Sequence, residues 1–239
     1  MNYGICNIAV MPLRSEESHA SEMVSQLLFN EVYEVLEMKP EWIHIKTDLD
    51  QYEGWIQAKQ HHALSEEDYN LLKNKGKYYT NKPIVEYEGK FLSLGTPLFE
   101  PNPDAVLPPT VFQPSLMLEY GMKFLHVPYL WGGRTVFGID CSGFVQLCAR
   151  AAGKSLPRDA SEQVKEGELV YFLPEILPGD LAFFGNEDGH IVHVGMMLDT
   201  ERILHASGQV RIDYLDQSGI FNKERNEHTH RLQVIKRLK

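Results

Sequence analysis

Four prolines fall between Glu100 and Thr110, at Pro101, Pro103, Pro108 and Pro109. Proline fixes φ, removes a main-chain donor and pushes the residue before it out of helical geometry. No helix or central strand runs comfortably through such a stretch. The chain of 239 residues is therefore expected to form two parts, each with a core of its own. The expected division is a front domain over residues 1–105, a linker over 106–113 and a second domain over 114–239.

The front part reads as short strands. Residues 26–29, 32–36, 42–45 and 52–56 carry β-branched and aromatic side chains between polar turns. Several strands so closely spaced predict a small β-barrel. Ser65 ahead of Glu66, Glu67 and Asp68 predicts a capped helix, and strand-like sequence resumes over residues 83–94. Beyond the prolines the pattern changes. Ser115 is the expected cap of a helix ending near Pro128, and a second helix covers about Cys141 to Ala152 and stops at Gly153, a favourable residue just beyond a helix. Val145, Cys148 or Ala149, and Ala152 repeat at helical spacing along it, which makes Cys148 an expected core residue rather than a second reactive thiol. Pro178-Gly179-Asp180 then leads into a strand over 181–184. Residues 191–198 and 202–206 give two more, joined by Asp199-Thr200-Glu201. The expected fold class is α+β.

Chemistry concentrates in this second part. Asp140-Cys141-Ser142-Gly143-Phe144 places a thiol at a helix start among small and polar neighbours. A helix N-terminus and a nearby imidazole are the usual means of obtaining a thiolate, the nucleophilic form. His193 and His205 lie on the two arms of an expected hairpin. Their numbers add to 398, so a turn centred on Asp199 sets them opposite one another on one face. That spacing suits a base and the group that orients it. His190 competes for the base role, but an odd separation from His193 sends it to the other face of a strand. A metal site made of Cys141 and the histidines is the structural rival, and the same parity disfavours it. No metal or other cofactor is expected.

The formal net charge of −10 opposes approach to nucleic acid, anionic membranes or acidic wall polymers, and leaves a small captured substrate as the natural partner. No apolar run reaches the roughly 18 residues that a membrane span needs. Residues 1–7 lack the basic and apolar regions of a signal peptide, and three cysteines make a disulfide framework improbable. These features together predict a reduced, cytoplasmic protein. Oligomeric state is not legible.

Four separated motifs carry a resemblance: Tyr129-Leu130-Trp131-Gly132-Gly133, Asp140-Cys141-Ser142-Gly143-Phe144-Val145, Pro178-Gly179-Asp180-Leu181 and His193-Val194-Gly195. In order and spacing they resemble the NlpC/P60 family of cysteine peptidases over roughly residues 114–239. The resemblance implies a papain-like catalytic domain with Cys141 as nucleophile, His193 as base and His205 as third member. Tyr52-Glu53-Gly54-Trp55 makes the front part similar to a bacterial SH3 domain. Together the two resemble the γ-D-glutamyl-L-diamino acid endopeptidases of murein recycling, which cut L-Ala-γ-D-Glu-diamino acid peptides with a free N-terminus. That likeness implies substrate contacts at Tyr129, Trp131, Asp140, Ser142 and Asp159. It also implies that Tyr52 and an acidic residue of the front domain, matched here by Glu31, close the pocket around the terminal L-Ala. Relatives often place a serine after the matching aspartate, where this chain has Ala160 and then Ser161. Asp159 and Glu31 are carboxylates that could meet the ammonium. A broader peptidoglycan amidase or acyltransferase is the alternative on the same scaffold, and a non-catalytic wall-peptide binding module the alternative of another class. Whether the diamino acid is diaminopimelate or lysine stays open.

Overall fold

The computed structural model describes residues 2–239. The chain forms two compact units. One comprises the residues up to Pro108 together with Trp131–Val136, the other Pro109–Leu130 and Phe137–Lys239.

The first unit is built on seven antiparallel strands: β1 Tyr3–Ile5, β2 Val10–Arg14, β3 Met23–Leu28, β4 Val32–Met38, β5 Trp42–Thr47, β6 Glu53–Gln57 and β7 His62–Leu64, in the order β3-β2-β6-β5-β4-β1-β7. The alternation in β5 shows why they pair: Trp42, Ile43, Ile45 and Thr47 are buried while His44 and Lys46 are half-buried. Met11, Leu13, Leu27, Tyr33, Ile43, Ile45 and Ile56 close over Cys6 as one core. Helix α1, Glu66–Asn74, starts as expected, with the Ser65 hydroxyl accepting from the Asp68 N–H at 3.0 Å. Short strands follow at β8 Tyr78–Thr80, β9 Ile84–Tyr87, β10 Lys90–Ser93, β11 Pro97–Leu98 and β12 Ala105–Val106. The proline-dense stretch is not free chain throughout, because Ala105 and Val106 pair with Thr80 and Tyr79 on β8. The short strand β13, Arg134–Thr135, belongs to this unit although in sequence it lies between the Tyr129–Gly133 and Asp140–Val145 motifs.

The second unit holds helices α2 Pro114–Met122, α3 Cys141–Ala151 and α4 Ala160–Gln163, and strands β14 Gly138–Ile139, β15 Glu168–Val170, β16 Leu181–Gly185, β17 Ile191–Met197, β18 Arg202–Ser207, β19 Gln209–Asp216, β20 Gly219–Asn222 and β21 Glu227–Arg237. The sheet order is β15-β21-β16-β17-β18-β19-β20, and β20 also pairs with β21. Six strands thus close into a barrel, which leaves no unpaired edge among them. Ala182, Phe184, Met197, Ile203, Leu215, Ile220 and Ile235 form its lining. Ser115 does not cap α2. The helix starts two residues earlier than that cap implies, with Gln113 as N-cap and Pro114 in its first turn, where a missing N–H costs nothing. Helix α3 is buried along its whole length and ends as expected, Gly153 taking φ +93° just beyond it. Among the described residues no helix is long and apolar enough to cross a membrane.

Candidate active site

Cys141 is the first residue of α3, and Asp140 is its N-cap. The Asp140 carboxylate accepts from the Gly143 N–H at 2.7 Å and is held from the other side by Arg158, whose Nη1 lies 3.0 Å from Oδ1. The same Nη1 donates to the Ser142 hydroxyl at 2.9 Å. Asp140, Ser142 and Arg158 therefore form one buried cluster at the helix start, which rigidifies the turn that carries the thiol. Arg158 escaped the sequence reading because a buried arginine gives no local signal. Cys141 itself is 4% exposed. Burial, and then the Asp140 charge, push its thiol up to about 12, while main-chain groups of Val194 and Ser142 hydrogen-bond the sulfur and pull the other way. Val194 follows His193 in β17, so these contacts bring that strand to the sulfur.

The histidines share a face, but not by the expected register. Gly195 pairs with His205 and Met196 with Leu204, so partners add to 400 rather than 398. A shift of two residues preserves parity and sets His193 diagonally from His205. Both have the parity of barrel-lining neighbours, Met197 in β17 and Ile203 in β18. His193 Nε2 lies 2.8 Å from His205 Nδ1, and His205 Nε2 lies 3.1 Å from Asp213 Oδ2. Burial alone would raise the Asp213 carboxyl, but hydrogen bonds from His205 and Arg211 outweigh it and hold it below the usual range. An ionised Asp213 can only accept, so His205 carries its proton on Nε2 and accepts on Nδ1. His193 must then donate from Nε2. Its Nδ1 is left as a lone pair, the form a base needs.

Burial, then the nearby His205 and His230, hold His193 well below its ordinary value, so the resting imidazole is neutral. His230, on β21, stacks on His193 with ring centroids 4.2 Å apart and 28° between planes. Burial and then His205 lower it to about 4. Sequence reasoning missed Asp213 and His230. A signal for Asp213 existed: it shares the strand parity of buried Leu215, and an aspartate at an inward position needs a partner. His190 is exposed and lies just outside β17, its N–H bonded to Asn186 Oδ1 at 2.9 Å. Among the described residues no three His, Cys, Asp or Glu side chains are placed to hold a metal ion.

Tyr129 is half-buried and lines a cleft of about 230 Å³ with Val192, His193 and His230. Asp159 holds the N-cap position of α4 but makes no capping bond with its side chain. Of the residues expected at the site, Cys141, His193, His205, Tyr129, Asp140, Ser142 and Asp159 all belong to the second unit. The remaining three belong to the first. Trp131 is 56% exposed, and its indole N–H donates to Glu22. Tyr52 is half-buried, and its side chain packs against the core of the first barrel. Glu31 is neither a surface charge nor an open carboxylate. It is buried, bonded by Arg134 Nη1 and Nη2 at 2.8 and 2.9 Å, and accepts from the Leu28 N–H at 3.0 Å. A carboxylate so neutralised is an anchor for residues 131–136, and the ammonium-binding role expected of Glu31 is withdrawn.

Comparison with known proteins accounts for both units. The NlpC/P60 family model matches residues 126–229, and the model of the bacterial dipeptidyl-peptidase SH3 domain matches residues 13–60. A γ-D-glutamyl-L-lysine dipeptidyl-peptidase of Bacillus subtilis (strain 168) is 31% identical over 214 residues, covering 76% of this chain and 71% of that protein. A probable endopeptidase, NlpC, of Escherichia coli (strain K12) is 40% identical over 82 residues, 34% of this chain and 53% of that one. The crystal structure of an NlpC/P60 family protein from Bacillus cereus has the same fold, with a TM-score of 0.80 at 18% identity over 98% of this chain and 99% of that one. The chain belongs to the NlpC/P60 family of peptidases and carries a bacterial SH3 domain ahead of its catalytic domain.

Proposed function

We propose that the protein is a cysteine endopeptidase that hydrolyses the γ-D-glutamyl–diamino acid bond of short murein peptides with a free N-terminal L-Ala, in cytoplasmic wall recycling. The observation that carries the chemistry is the hydrogen-bonded series from Asp213 through His205 to His193, ending at the strand that meets the Cys141 sulfur. The Cys141 thiol gives its proton to His193 Nδ1 as the sulfur attacks the γ-carbonyl. Main-chain N–H groups at the start of α3 stabilise the oxyanion. Collapse expels the diamino acid, which takes the proton from His193, and leaves a thioester. Water, deprotonated by the same Nδ1, hydrolyses it and restores the thiol. The peptide gains one water and no cofactor enters.

The choice of substrate is supported by the Bacillus subtilis relative, whose name specifies release of a dipeptide ending in γ-D-glutamate. A dipeptide counted from the end implies a free ammonium. With Glu31 bound to Arg134, Asp159 is the carboxylate proposed to receive it. The test is turnover of L-Ala-γ-D-Glu-diaminopimelate against its N-acetylated form, followed as release of the diamino acid. Acetylation leaves a carboxylate without its partner, and a loss of roughly two to four decades in kcat/KM is expected. Equal rates on both peptides would contradict the reading and point to a broader wall-cutting enzyme.

A further inference from the structure

A second cleft, of about 420 Å³, opens beside the catalytic one in the same unit. Val192 and His230 line both, so the two clefts are neighbours that share a wall. His230 is also the ring stacked on His193. The general acid must face the nitrogen it protonates, so the leaving amine emerges on the His193 side of the sulfur. The cluster of Asp140, Ser142 and Arg158 lies instead at the start of α3.

The wall of this second cleft includes Glu187, His228 and Arg231. His228 is taken up by Asp216 at 2.9 Å. Among the described residues, by contrast, the exposed side chains of Glu187 and Arg231 have neither an ion-pair nor a hydrogen-bond partner. The strand register supports this separately. Arg231 pairs with Gly185 on β16 and with Gly219 on β20, so neither neighbouring strand sets a side chain beside it. One open guanidinium and one open carboxylate on a shared cleft complement a ligand end bearing both charges.

We propose that this cleft receives the leaving diamino acid, and that Arg231 and Glu187 favour one whose far end carries a carboxylate beside its second ammonium. Diaminopimelate has that end and lysine lacks the carboxylate. The inference rests on the hydrolase reading above for the identity of the substrate, but binding tests it apart from turnover. Calorimetry on full-length Cys141→Ala would give Kd for L-Ala-γ-D-Glu-meso-diaminopimelate and for L-Ala-γ-D-Glu-L-Lys. The diaminopimelate peptide is expected to bind about tenfold more tightly, with Arg231→Gln bringing the two affinities within about twofold of each other. Glu187→Gln is expected to weaken both peptides, since each offers an ammonium. Equal affinities in the Cys141→Ala protein, a preference that survives Arg231→Gln, or no binding of either peptide would overturn the proposal. Wild-type protein that cleaves neither peptide while the binding preference persists would remove the hydrolase reading and leave this subsite standing.

Discussion

Asp213 touches neither the sulfur nor the base, yet it decides which nitrogen of His193 is free. Its carboxylate fixes the proton of His205, and His205 fixes the proton of His193. Asp213→Asn removes the charge and can present an N–H where an acceptor is required, so either tautomer of His205 becomes acceptable. A fall in kcat of about 10- to 100-fold is expected, the usual cost of losing an outer partner of a working histidine. Nitrogen chemical shifts of His193 should show mixed tautomers in the variant and one in the wild type. Unchanged shifts together with lost activity would reduce Asp213 to a packing role. Cys148 provides the control. It is fully buried on α3 with its thiol pushed well up by burial, so Cys148→Ala should lower stability by about 1 kcal/mol and leave turnover alone. Turnover lost with Cys148 would mean the wrong thiol has been named.

The hairpin of β17 and β18 is where sequence reasoning came close and slipped. Parity alone put His193 and His205 on one face, since strand side chains alternate with period two, and that survives any even shift of register. The turn was harder to read. Asp199 accepts from the N–H groups of Glu201 and Arg202 at 2.9 and 2.8 Å, closing a loop whose length its residues did not announce. Cap chemistry was legible at Ser65, and illegible at Ser115, where Pro114 had a stronger claim to the first turn. The corrected register gives Gly195 a definite purpose. A Cβ there would stand 2.8 Å from His205 Cβ and 2.7 Å from Ile203 Cδ1. Gly195→Ala should therefore cost about 1–3 kcal/mol and displace His205, lowering kcat as well as the unfolding midpoint. Full activity at wild-type stability would show that the hairpin absorbs a methyl group, against this account of the site.

At the scale of the whole chain, what the sequence hid was long-range pairing. Arg134 sits within the motif region of the catalytic half, but its partner Glu31 lies 103 positions away, in the first barrel. Nothing local marks either residue as half of a buried ion pair. Removing one partner strands the other, so Arg134→Met should destabilise by about 3–5 kcal/mol, and Glu31→Leu added to it should recover part of that loss in urea unfolding. Additive losses would deny the coupling. The histidine cluster sets the acid behaviour of the molecule. His193, His205 and His230 all have depressed values in the folded state, so the unfolded chain binds more protons once pH falls below about 6.5. Stability contributed by their neutrality is full above that pH and is lost progressively as pH falls toward 4, the value for His230. Asp213, Asp199 and Asp216 are held low and stay ionised through most of this window, so the histidines dominate it. Unfolding midpoints should drop between pH 7 and pH 5, and less steeply in His230→Asn; a flat profile would contradict the cluster's neutrality. The central claim is that Cys141 is the nucleophile, and the direct measurement is kcat of wild type and Cys141→Ala on L-Ala-γ-D-Glu-diaminopimelate, with folding checked by unfolding midpoint. The account predicts an intact fold and a loss of about 10⁴-fold or more. A variant retaining more than about a tenth of wild-type turnover would contradict it.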